Sequence, residues 1–112
     1  MRVHLLSTPE AQARGVIGLP GVLPDEVFFF PDVDAEGTFF HMIGVPFPIE
    51  IAFLDGAFRI LRVAPLAAQH GRAWPPRGTR HAAETAPGSV AHWGLGPGSV
   101  WDELRRAVEP PA

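Results

Sequence analysis

The chain contains no cysteine, no lysine and no asparagine. Without cysteine there can be no disulfide, no thiolate metal site and no cysteine nucleophile, and the redox state of the compartment leaves no mark on the sequence. All nine positive side chains are arginine, a pattern that fits GC-rich codon usage and a heat-loving source. They are scattered, with Arg105-Arg106 as the densest pair, and the net charge is −3. Such a distribution argues against a nucleic-acid partner. Long apolar runs are lacking too. The longest uncharged one, residues 37–49, is interrupted by His41, Pro46 and Pro48 and is too short to cross a bilayer. The first ten residues hold no signal-peptide core. The expectation is a soluble cytoplasmic protein with no membrane partner.

What is present points to a folded core. The 112 residues, 46% of them hydrophobic, suit a single domain over 1–112 that needs no staples. "RVHLL" (2–6) reads as a strand. Thr8 then offers an N-cap, Pro9 a first helical position and Gly15 a stop, which predicts a helix of barely two turns. "VFFFP" (27–31) and "TFFHMI" (38–43) read as strands. "IEIAFL" (49–54) alternates, with Ile49, Ile51 and Phe53 on one face and Glu50, Ala52 and Leu54 on the other. Asp55-Gly56 is a turn signal, and "AFRILRV" (57–63) is the expected partner strand. The stretch 65–87 is irregular around Pro75-Pro76, with "TRHAAET" (79–85) as a candidate strand. A helical turn is expected near 90–93, and "VWDELRRAV" carries a helical pattern toward a C-terminal helix or tail over 102–112. Many short strands between turn signals predict a mainly β domain, a sandwich or barrel with one or two short helices.

Three features together resemble the bacterial and archaeal family known as domain of unknown function 192. They are Thr8-Pro9-Glu10 with Ala13-Arg14-Gly15, "FHM" followed by "PIEIAFLD", and Arg80, Glu84 and Gly88 before a glycine-rich turn. The resemblance covers residues 3–101. It implies a small jelly-roll-like β domain and brings no activity, cofactor or catalytic residue with it. The chain departs from the family's usual tryptophan at His41, Asn-Thr at Gly44-Val45, Asp at Glu50 and Gly-Asp at Gly98-Ser99.

The question with most chemical content is Glu50, a carboxylate set between two isoleucines. With a two-residue turn at Asp55-Gly56, Glu50 lies diagonal to Arg59, and a cross-strand ion pair is expected there, or one with Arg80. The functional counterpart is a ligand-binding or proton-transferring carboxylate in a cleft. Glu84 is the second carboxylate, and a Glu50–Glu84 pair is what a hydrolase acting on a polar or sugar-like substrate would need. The five histidines show no helical or alternating ligand spacing; a metal site of His41, His81 and Glu50 is geometrically possible in a sandwich, without support from spacing. Trp74, in a long loop between arginines and prolines, suits a sugar, peptide or proline-rich partner, or folds back as a lid on the sandwich.

The leading expectation is therefore a non-enzymatic binding module for a small molecule or protein, monomeric or homodimeric. No cofactor, metal or catalytic residue is expected. Its candidate ligand-binding residues are His41, Glu50, Arg59, Trp74, Arg77, Arg80 and Glu84. The rivals are the Glu50/Glu84 hydrolase and an oligomerising module that covers Trp101 and the C-terminal helix with a partner.

Overall fold

A computed structural model describes residues 1–109. Strand β1 (Arg2–Leu5) leads to helix α1 (Pro9–Arg14), β2 (Glu26–Phe30), the short β3 (Phe40–His41), β4 (Ile49–Leu54), β5 (Ile60–Leu66), the short β6 (Arg72–Ala73) and β7 (His81–Thr85). Helices α2 (Ser89–His92) and α3 (Asp102–Val108) follow. Of the C-terminal stretch expected as helix or tail, residues 110–112 lie outside the described residues.

Five strands form one sheet in the order β1-β2-β7-β4-β5, with β1 and β2 parallel and every other pair antiparallel. β3 and β6 make a second, two-stranded antiparallel sheet. The protein is thus mainly β, one domain with two sheets and short helices. No barrel closes among the described residues, and this strand order does not establish a jelly roll.

The large sheet carries a hydrophobic cluster on each face. Phe28, Phe30, Ile51, Phe53 and Ala82 meet Phe40, Met42, Val45 and Val16 on one side. Val27, Phe29, Ala52, Leu54 and Ala83 meet Phe58, Val90, Trp101 and Leu104 on the other. Burial on both faces is why β2 reads as an unbroken apolar run rather than an alternation. It also answers the oligomerisation idea. Trp101 and Leu104 are only 2% and 0% exposed within this one chain, so neither is free to be covered by a partner.

The local signals at α1 hold. Thr8 Oγ1 accepts from the Ala11 amide at 3.1 Å, and Gly15 closes the helix at φ +51°. The β4–β5 turn does not follow the two-residue expectation. Asp55 N donates to Arg59 O, and Asp55 Oδ1 accepts from both Ala57 N and Arg59 N at 2.9 Å. The longer loop takes Phe58 into the left-handed region (φ +62°) and buries its ring against Phe29 and His81. Burial of a phenyl ring outweighs the backbone strain at a non-glycine residue. Two expected strands are also shifted: "TFFHMI" pairs only over Phe40–His41, and the return strand runs to Leu66 rather than Val63.

Candidate functional site

Glu50 stands opposite Thr85 on β7 and opposite Pro65 on β5. Its Oε1 accepts from the Gly88 amide at 2.8 Å, and its Oε2 from the Val90 amide at 3.0 Å and from Thr85 Oγ1 at 3.3 Å. Those amides belong to the first turn of α2, whose N-cap Gly88 has no side chain to offer. Glu50 therefore caps α2 from a neighbouring strand, because a helix start leaves amides that need an acceptor. The expected Arg59 and Arg80 pairs do not form. The longer turn carries Arg59 away from Glu50, so that Arg59 Nη1 donates to Gly98 O at 2.7 Å, and Arg80 pairs with Asp32 at 2.7 Å.

Glu84 lies opposite Ile51, one residue out of phase with Glu50 and Thr85. Side chains alternate along a strand, so Glu84 leaves the sheet on the other face, beside Ala82 and Phe28. The two carboxylates share no cleft, which removes the geometry a Glu50/Glu84 hydrolase needs.

On the Glu84 face a cavity of about 440 Å³ opens between the end of α1, Phe30 at the end of β2, the 32–39 connection and β3. Gln12 fixes α1 beside it: Nε2 donates to Leu6 O at 3.0 Å and to Pro31 O at 3.3 Å. Gly15 sits directly above the carboxyl, where a Cβ would stand 3.6 Å from both Glu84 Oε1 and Phe30 Cζ. Phe30 and Phe40 meet edge to face, with centroids 5.2 Å apart. Nearer the mouth, Phe39 packs on His41 at 5.9 Å and stacks on Trp74 at 5.6 Å.

Glu84 is 5% exposed. Among the described residues no protein group hydrogen-bonds its carboxyl, and no sealed side-chain oxygen or nitrogen lacks a partner. Its oxygens must therefore reach the cavity space, whose wall they help to form. Burial pushes this carboxyl up to about 8, so it carries its proton at neutral pH. A neutral carboxyl can both donate and accept one hydrogen bond at the cavity floor.

Of the candidates read from the sequence, Glu84 and His41 line this cavity. Trp74 is one ring removed, through Phe39, and is 58% exposed rather than folded back as a lid. Arg80 is one ion pair removed, through Asp32. Glu50, Arg59 and Arg77 are not part of the wall. His41, His81 and Glu50 are not gathered either. His81 packs its ring against both Phe29 and Phe58, and among the described residues no group of three acidic or histidine side chains is placed to hold a metal ion. Sequence reading missed the walls, chiefly Gln12, Gly15, Phe30 and Asp34. The available signal was a glutamate inside the apolar strand "HAAET", where ladder pairing forces it into an interior.

The sequence pattern of domain-of-unknown-function family 192, described as "Uncharacterized ACR", matches residues 1–102. No curated protein matches the chain. Solved structures are similar too, two of them as follows. One is a Sinorhizobium meliloti protein provisionally described as a transcription regulator: TM-score 0.71, 18% identity, covering 86% of this chain and 76% of that one. The other is a Novosphingobium aromaticivorans protein of unknown function: TM-score 0.72, 22% identity, covering 88% of this chain and 71% of that one. At these identities the likeness is one of fold.

Proposed function

Since the chain belongs to domain-of-unknown-function family 192, which assigns no chemistry, we propose a function from the cavity itself: a non-enzymatic small-molecule binding module. One observation carries the reading. Glu84 is a buried carboxyl with no protein hydrogen-bond partner among the described residues, and it forms part of a cavity wall. Burying a polar group without a partner costs on the order of 1–3 kcal/mol, a cost that a ligand bonding to it from the cavity would remove. The cavity suits a small molecule in size, within the roughly 300–1,000 Å³ of such sites. Its walls mix apolar side chains such as Phe30, Phe40 and Met42 with polar ones such as Gln12, Thr38 and Glu84, and polar groups converging on an apolar wall can orient a ligand.

The test is a fragment screen on ¹⁵N-labelled protein. Binders are expected to move the amides of Gly15, Val16 and the Phe40–Met42 segment, and the same fragments should bind Glu84→Gln with altered affinity. If binders move only amides around α2 and α3, or if none binds, the reading fails.

A further inference from the structure

The geometry points to an organic cation as the ligand of this cavity: an ammonium or guanidinium head seated on Glu84, with its apolar body held between Phe30, Phe40 and Met42. The inference rests on the binding reading above and adds to it the charge of the ligand.

The first argument concerns donors. Two carboxyl oxygens face the cavity and, among the described residues, receive nothing from the protein. The neutral carboxyl takes one donor and one acceptor, whereas the ionised carboxylate takes donors alone; a cationic head brings donors and an opposite charge together, the strongest partner of the ionised form. The protein supplies no such cation from within. Arg80 is held by Asp32, and Arg14, on the wall at the end of α1, is exposed and makes no bond to Glu84.

The second argument concerns the walls. Cations are attracted to the faces of aromatic rings. Phe30 and Phe40 stand nearly perpendicular, at 87°, and both rings belong to the cavity wall. At the mouth, Phe39 carries Trp74 stacked on it at 19°, which extends a partly exposed π surface outward from the opening.

The third argument concerns electrostatics. The other charged or titratable side chains on the wall are Arg14 from α1, Asp32 and Asp34 from the β2–β3 connection, and His41 from β3. An anion would meet Asp34 and the Arg80-paired Asp32 on the wall, and it would oppose any ionisation of Glu84. A cation meets attraction on the same wall, with Arg14 as the only opposing charge among the described wall residues. A site meant for neutral ligands would be served equally by glutamine at position 84. Only a carboxyl can ionise in step with a charged ligand.

That coupling sets the experiment. Burial places the pKa of Glu84 at about 8 and so keeps it protonated at neutral pH in the absence of a cation. A cation binds the ionised form, so its apparent affinity scales with the ionised fraction. Butylammonium, butanol and butyrate are nearly isosteric probes that differ in charge. Their affinities are read from the Gly15, Val16 and Phe40–Met42 amide shifts.

Butylammonium is expected to bind at least about tenfold more tightly than butanol, and its affinity to rise about tenfold between pH 7 and pH 9. The ¹³C shift of the Glu84 carboxyl should move to its ionised value at saturation. Glu84→Gln, close in shape but uncharged, should lose both the preference and the pH rise. The pH series on the wild-type protein decides the matter even if that variant folds poorly. Butanol or butyrate binding in the cavity as tightly as butylammonium overturns the cation assignment and leaves the binding module standing. None of the three moving these amides, at any pH, removes both.

Discussion

Glu50 and Glu84, on neighbouring strands, leave the central sheet from opposite faces: Glu50 stands across from Thr85, and Glu84 across from Ile51. One residue of phase separates a carboxylate that receives three hydrogen bonds from a carboxyl that receives none from the described residues. The same residue type thus holds a helix in place on one face and opens into a cavity on the other.

Glu84 makes stability depend on pH in a stated direction. Its folded pKa, about 8, lies above the ordinary glutamate value of 4.5. Between these values the folded state holds a proton that the unfolded state has released, so stability falls as pH rises through the window. Below about 4.5 both states are protonated, and the group adds no slope. The full loss by pH 8 is on the order of 4–5 kcal/mol. Urea unfolding at a series of pH values should show this decline in the wild type relative to Glu84→Gln. Parallel curves for the two proteins would mean that Glu84 ionises freely in the fold.

Glu50→Ala should destabilise the domain by about 2 kcal/mol, because two amides and one hydroxyl lose a charged acceptor. Glu50→Gln keeps one acceptor oxygen and should lose less. Hydrogen exchange supplies the local readout: the Gly88 and Val90 amides should exchange faster in both variants. Unchanged exchange there, with unchanged urea midpoints, would contradict the capping role.

The tryptophans should separate cleanly. Trp101 is 2% exposed and packs on Trp93 at 5.8 Å, so Trp101→Ala should cost about 3–5 kcal/mol. Trp74 is 58% exposed and touches mainly Phe39; its removal should cost under about 1 kcal/mol. Thermal melts of both variants check the pair, and a Trp74→Ala melt as damaged as that of Trp101→Ala would mean that Trp74 anchors its loop.

Gly15→Ala should cost about 1–2 kcal/mol, from the left-handed backbone rather than from crowding. The new methyl would meet Glu84 Oε1 and Phe30 at ordinary contact distance. It should also reduce the affinity of any cavity ligand, because it adds bulk beside the carboxyl. A Gly15→Ala variant as stable as wild type would remove the backbone argument.

Local features of this protein were legible in its sequence because local rules act within a few residues. The Thr8 cap, Pro9 at the helix start, the Gly15 stop and the Ile49–Leu54 strand follow from hydrogen-bond reach and side-chain alternation. The absence of cysteine excluded disulfides and thiolate chemistry outright. Alternation even placed Glu50 with Ala52 and Leu54, but it could not say what lay across from them.

Partnership was decided by the tertiary structure. The β4–β5 turn grew because Phe58 gains more by entering the core than a tight turn gains locally. Arg59 consequently missed Glu50, and α2, distant in sequence, brought its amides to that carboxylate instead. The cavity joins α1, β2, β3 and β7, four elements spread over some 75 positions, around Glu84. Which strands become neighbours depends on burying both faces of a sheet at once, a collective condition that no short window of sequence expresses.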